Sequence, residues 1–180
     1  TLGTGIGGGI IVNGRILHGF VGMAAELGHM TVIPDGNPCG CGNNGCLEKH
    51  ASATAIGAMG RMLQLADNPT ALDVYNFALG EGEDSRRARH IFEVMGTALG
   101  IAIANLVNIF NSPLYLLSGG PLPAWDFFSP ALFREVQTRS FTYRNTNTRI
   151  EKATLGNEAG LYGAAYLPFL DAEPSAPRRT

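Results

Sequence analysis

Three cysteines, Cys39, Cys41 and Cys46, fall within eight residues, and His29 stands ten residues ahead of the first. Three thiols cannot pair into disulfides without leaving one over, whereas three thiolates and an imidazole are the four soft ligands of a closed tetrahedral zinc site. Gly40, Gly42 and Gly45 let the backbone bend tightly enough for closely spaced sulfurs to converge, and Gly42-Asn43-Asn44-Gly45 reads as a turn between the second and third thiol. The spacing predicts a structural zinc loop held by His29, Cys39, Cys41 and Cys46; three free thiols in a loop is the competing reading. Carboxylates flank the loop on both sides. Glu26 precedes His29 by three residues and Glu48 follows Cys46 by two, so one metal would organise both acids. Carboxylates on a rigid loop are good acceptors for the hydroxyls of a polyhydroxylated substrate, whereas an isolated exposed Glu is usually only solvated.

A second chemistry is written at residues 3–9. Gly3-Thr4-Gly5-Ile6-Gly7-Gly8-Gly9 presents successive backbone N–H groups without side-chain obstruction, and Thr4 adds a hydroxyl, which suits close approach to a phosphate. The run is neither a G-x-x-x-x-G-K-[ST] loop nor a G-x-G-x-x-G opening a helix, so a glycine-rich strand at a tight sheet contact is an equal alternative. His18, His50 and His90 have no comparable company and read as ordinary surface or partly buried histidines.

These residues need elements to position them. Ile6 to Val12, Asn13-Gly14 and Arg15-Ile16-Leu17 read as a β-hairpin, and Thr31 to Ile33 as a short strand entering the cysteine loop. Ser52 is a plausible N-cap for a helix running to about Ala66, with Asn68-Pro69 as its stop, and Ala71 to Leu79 is a shorter helix. Gly80 to Asp84 reads as a solvated turn. The longest helical pattern is Ser85 to Phe110, where Ile91, Met95, Ala98, Ala102, Leu106 and Ile109 recur on one face. Gly96 and Gly100 weaken that helix, so they predict close packing against a neighbour. Leu114 to Leu117 reads as a buried strand delivering the chain into Ser118-Gly119-Gly120, a turn suited to a ligand. A helix over Ala124 to Arg139, a strand over Arg149 to Thr154 and a helix over Asn157 to Leu170 follow. Helices alternating with strands predict an α/β layered domain.

At 180 residues and 45% hydrophobic, the chain suits one domain. A net charge of −2 with 16% charged residues offers no basic field for a nucleic acid. The longest apolar stretch, Ile101 to Phe110, is far short of a membrane span, and thiols set out for a metal agree with a reducing compartment. A soluble, cytoplasmic protein is expected. The glycine run opens abruptly at Thr1, which predicts further residues upstream, and the composition of 171–180 predicts a disordered tail.

Taken in order, L-G-T-G-I-G-G-G-I-I, A-E-L-G-H, C-G-C-G-N-N-G-C-L-E, L-S-G-G and G-N-E-A-G-L-Y-G-A-A resemble the second lobe of ROK-family proteins, a group of bacterial sugar kinases and sugar-responsive repressors. The resemblance spans residues 1–170. It implies an actin-like, ribonuclease-H-like ATPase lobe with a zinc-binding loop insertion, its N-terminal lobe absent. It implies Gly3, Thr4, Gly5, Gly7 and Gly8 at the nucleotide phosphates and Gly119 and Gly120 at the adenosine of ATP, with Mg. Glu26, His29 and Glu48 match the family's sugar contacts, and His29, Cys39, Cys41 and Cys46 its zinc ligands. The implied activity is ATP-dependent phosphorylation of the 6-hydroxyl of a hexose, glucose first, in a homo-oligomer. An N-acetylmannosamine or fructose kinase, a sugar-sensing repressor and a ligand-free remnant are the alternatives. The family's catalytic aspartate is expected upstream of residue 1, so these 180 residues alone are expected to be inactive.

Overall fold

The computed structural model describes residues 1–170, so the tail expected at 171–180 lies outside the described residues. Among the described residues, six helices, four short strands and several 3-10 turns make up the fold. The hairpin forms where Asn13-Gly14 demanded it: β1 (Ile11–Val12) and β2 (Arg15–Ile16) pair antiparallel, and Asn13 and Gly14 take φ of 52° and 75°, the left-handed pair of a two-residue turn. It is shorter than expected, because Ile6 to Ile10 stays outside the ladder. Thr31 to Ile33 is not a strand. Thr31 makes one antiparallel bridge to Cys46, and the Val32 N–H donates to the Gly45 carbonyl at 2.9 Å, so the loop folds back on itself before a ladder can extend.

After a four-residue α1 (Glu48–Ala51), α2 (Ala53–Met62) starts where Ser52 Oγ accepts the Ala55 N–H at 3.1 Å. It ends at Met62 and not near Ala66, because Gln64 turns left-handed (φ 57°). The next helix, α3 (Ala71–Leu79), carries a complete capping box between Thr70 and Asp73. Its last carbonyls are closed by α4 (Glu83–Phe110): Ser85 Oγ donates to Gly80 O at 2.9 Å, and Arg89 Nε to Ala78 O at 2.8 Å. Glu83 and Asp84, read as part of a turn, are instead the first turn of α4, where carboxylates favour the helix dipole.

By length and composition α4 could cross a membrane, yet 67% of its apolar window is buried inside the fold, where it is the central core helix. Phe92, Met95, Leu99 and Val107 are buried along it; Ile109 is 68% exposed and does not join the predicted core face. Asn111 ends the helix in a left-handed cap. Beyond it, β3 (Leu114–Leu117) pairs in parallel with β4 (Arg149–Lys152) around α5 (Trp125–Arg139), with Leu114 opposite Arg149 and Leu117 opposite Lys152. β3 is not a buried strand throughout: Leu117 is buried and Leu116 is 55% exposed. The layered α/β expectation is met only thinly, by two two-stranded sheets among many helices. The last helix, α6 (Ala159–Leu170), exposes Leu161, Tyr162 and Tyr166.

The two glycines of α4 lie where α5 crosses. A Cβ on Gly96 would collide with the Phe128 carbonyl oxygen, and one on Gly100 would come within 2.6 Å of Leu132 O. Alanine gains about 1 kcal/mol of helix propensity over glycine, while forcing two packed helices apart costs about 1–3 kcal/mol. The collision is with backbone, which cannot swing away, so it wins: Gly96→Ala is expected to lower the urea unfolding free energy by up to about 2 kcal/mol.

Candidate functional site

The cysteine loop is built around two left-handed glycines, Gly42 (φ 93°) and Gly45 (φ 69°). Its backbone closes through Gly42 N–H to Cys39 O at 3.1 Å, Cys39 N–H to Asn43 O at 2.8 Å and Gly45 N–H to Asn37 O at 2.9 Å. Asn43 Nδ2 ties the loop to Thr31 Oγ1 at 2.8 Å. As a result the donor atoms of His29, Cys39, Cys41 and Cys46 all lie within 4.8 Å of one another. Cys39 Sγ is 3.7 Å from His29 Nδ1, and Cys41 Sγ is 3.6 Å from Cys46 Sγ. Zinc–sulfur bonds of about 2.3 Å in a tetrahedron place sulfurs about 3.8 Å apart, so this donor set fits one zinc ion. Burial, then the neighbouring thiols, pushes the Cys46 thiol up to about 12, whereas the Asn43 backbone hydrogen bond, then the other two thiols, hold Cys41 below the ordinary thiol range. A buried thiol so reluctant to ionise is what a divalent cation would turn into a thiolate.

His29 faces two ways. Its Nδ1 points at the thiols and its Nε2 lies 4.0 Å from Glu26 Oε2, within reach of an ion pair and beyond a hydrogen bond. Glu48 opens α1, and its Oε2 accepts the Ile6 N–H of the glycine run at 3.0 Å. Gly5 lies directly under that carboxylate, and a side chain there would have to push the end of Glu48 aside.

Residues 2–6 form a tight loop in which Leu2 bridges Ile6 and Gly3 N–H reaches Gly5 O at 2.9 Å. The start of α2 holds it: Ala53 N–H donates to Gly3 O at 2.8 Å, and Thr54 Oγ1 donates to Thr4 O at 2.7 Å. Gly3 and Thr4 meet Gly120 in one pocket of about 300 Å³, completed by Ala71, Leu72, Tyr75, Pro121 and Pro123. Apolar walls can take a heteroaromatic base, and the glycines beside them leave room for a phosphate to approach. Gly119 stands behind this pocket, bridged in parallel to Leu2. Gly7 and Gly8 lie on the other side of the loop, along a separate groove beside β3. Sequence reasoning passed over Thr54, Leu72, Tyr75 and the two prolines. Only the prolines carried a signal, standing directly after Gly119-Gly120.

His50 is not at the surface. It is 7% exposed, packed over the loop so that a Cβ on Gly36 would stand 2.9 Å from Nε2, which has no hydrogen-bond partner. Burial lowers its pKa. The folded state therefore takes up a proton on His50 less readily than the unfolded chain, which does so near the ordinary pKa of about 6.5. Its contribution to stability is complete above that value and declines as pH falls below it. Thermal melts from pH 8 to 5 are expected to show a steeper loss for the wild type than for His50→Leu.

A family model described as the ROK family matches residues 1–169. Among curated relatives, the glucokinase of Halalkalibacterium halodurans is 37% identical over 179 residues, which cover 93% of this chain and 54% of that protein. An N-acetyl-D-glucosamine kinase of Yersinia enterocolitica is 30% identical over 92% of this chain and 56% of its own length. A xylose repressor of Caldicellulosiruptor bescii is 29% identical over 95% and 45%. Among solved structures, the ROK hexokinase from Thermus thermophilus has a TM-score of 0.78 at 32% identity, covering 96% of this chain and 57% of that one. The ROK family glucokinase from Streptomyces griseus, in complex with glucose and AMPPNP, has a TM-score of 0.70 at 28% identity, covering 92% and 58%. The chain spans about half the length of the curated relatives it matches.

Proposed function

Since the chain belongs to the ROK family and has the mixed helix-and-strand fold of its sugar kinases, we propose that it is the sugar-binding, zinc-stabilised lobe of an ATP-dependent hexose 6-kinase acting on glucose. The observation that carries the reading is the 3.0 Å bond from Ile6 N–H to Glu48 Oε2. It sets a carboxylate able to bind sugar hydroxyls directly against the loop whose other face opens on the apolar pocket. Glu26, His29 and Glu48 would hold the sugar. Gly3, Thr4 and Gly5 would face the phosphates, and Gly119 and Gly120 the adenosine end. Zinc on His29, Cys39, Cys41 and Cys46 would supply a rigid crosslink, fixing His29 and the start of α1 in relation to each other.

Phosphoryl transfer also needs magnesium and a base for the hydroxyl proton, and the aspartate serving as base is expected outside these residues. The isolated chain is accordingly expected to transfer no phosphate from ATP to glucose above a no-protein control. A panel of glucose, N-acetylglucosamine, N-acetylmannosamine, fructose and xylose, titrated calorimetrically, tests the substrate: glucose should bind at least tenfold tighter than the others. Preference for another member of the panel would reassign it. The match to a xylose repressor favours a second reading, a sugar sensor. A sensor would bind a sugar with no use for the nucleotide pocket, so competition between ATP and a fluorescent adenine nucleotide separates the two.

A further inference from the structure

Cys39, Cys41 and Cys46 belong to one short loop, whereas His29 comes from a separate segment ahead of it. What aligns the two segments is therefore distinct from what bends the loop. At the base they are joined by backbone: Leu47 N–H donates to Met30 O at 2.8 Å and Val32 N–H to Gly45 O at 2.9 Å, on either side of the bridge between Thr31 and Cys46. Nearer Cys39 and Cys41 the tie is a side chain. Asn43 Nδ2 donates to Thr31 Oγ1 at 2.8 Å, and Thr31 follows His29 closely in the chain. The same amide is fixed at its other end, because Asn43 Oδ1 accepts the Asn44 N–H at 2.8 Å; the oxygen thus faces its own turn and the nitrogen faces Thr31. The Asn43 backbone serves the thiols directly. Its carbonyl accepts the Cys39 N–H at 2.8 Å, and its N–H donates to the Cys41 sulfur.

We infer that Asn43 is a positioning residue of the metal centre, holding the arm that carries Cys39 and Cys41 against His29 through its bond to Thr31. The inference rests on the zinc reading proposed above. Donor atoms bind a metal tightly when outer hydrogen bonds have fixed their orientation before the ion arrives. Asn43 does this for both halves of the site, since its backbone orients Cys39 and Cys41 and its side chain reaches the segment of His29. Replacing the amide by a methyl group keeps the backbone bonds and removes the tie to Thr31. The thiols then stay together while their distance from the imidazole is no longer fixed, so the nitrogen ligand loosens first. Asn44 enters this network through its backbone, so its side chain is not expected to matter.

The test is a cobalt(II) titration of the purified chain, because cobalt accepts a tetrahedral zinc site and its visible bands report the donor set. Asn43→Ala should bind cobalt about tenfold more weakly than the wild type, with the ligand-field bands shifted toward those of His29→Ala and the sulfur-to-cobalt charge-transfer band retained. Thr31→Val, which keeps the shape and removes the hydroxyl, should give the same loss, and the double variant no more than either change alone. Asn44→Ala should bind as the wild type does. Asn43 and Thr31 are both exposed, so the metal-free variants should melt with the metal-free wild type. Unchanged affinity in Asn43→Ala, weaker binding with unshifted bands, or a Thr31→Val chain that binds like the wild type would overturn the inference. A lower melting temperature for metal-free Asn43→Ala would assign the loss to loop stability and overturn it too. A folded wild type that takes up no tetrahedral cobalt would overturn the zinc reading itself, and the inference with it.

Discussion

Stripping metal from the purified chain with a chelator is expected to lower its melting temperature by about 10 °C, and Cys41→Ser is expected to do the same without chelator. Structural zinc in small fingers is worth about 10–16 kcal/mol of apparent binding free energy. Here the loop is one part of a larger core, so a third of that, about 4 kcal/mol, is a fair expectation for coupling to global unfolding. For a domain of this size about 4 kcal/mol corresponds to a shift of about 10 °C. Cys41 is the informative position because it is exposed, whereas Cys46 is buried and its replacement would also disturb packing. About one zinc per chain by elemental analysis, absent from Cys41→Ser, is the composition that goes with this shift. An unchanged melting temperature would mean that the thiols converge for some other reason, such as thiol hydrogen bonding.

Glu48→Ala is expected to weaken glucose binding by roughly 30–150-fold, the equivalent of about 2–3 kcal/mol for hydroxyl bonds to an ionised carboxylate. It should also weaken nucleotide binding, because Glu48 Oε2 anchors the Ile6 amide of the loop that lines the pocket proposed for the nucleotide. Glu48→Gln separates the two roles. Its amide oxygen can still accept the Ile6 N–H while the charge that favours sugar hydroxyls is gone, so sugar affinity should fall and nucleotide affinity should stay near that of the wild type. Equal losses of both ligands in Glu48→Gln would show that Glu48 acts on the loop alone, and that the sugar is held elsewhere.

The cysteine cluster was legible because it is local. Three thiols in eight residues with glycines between them can converge through the loop's own turns, and His29 is tied in by Thr31 and Cys46 at the loop's base. The long core helix was legible for a similar reason, since its apolar period is internal to the segment. Thr31 to Ile33 misled because a run of β-formers says nothing of a partner, and its partner is the end of the cysteine loop. The second helix was drawn too long because nothing in Leu63-Gln64-Leu65 announces a left-handed glutamine. The pocket that joins Gly3 and Thr4 to Gly120, proposed above for the nucleotide, is marked in the sequence only at its glycines. Thr4, Tyr75 and Pro121 meet there from distant parts of the chain, and that convergence is set by α3 packing on α4, which no local pattern encodes. His50, read as a surface or partly buried histidine, lies at the buried end of that range because the loop folds over it.

In the proposed function a zinc-held loop and the start of α1 present Glu26, His29 and Glu48 to a hexose. The most direct test is a calorimetric titration of glucose into the zinc-loaded chain and into the same chain after chelation. Saturable one-to-one binding by the zinc-loaded chain, at least tenfold weaker after chelation, is the predicted result. Absence of glucose binding by a folded, zinc-loaded chain, or equal binding with and without zinc, would contradict it.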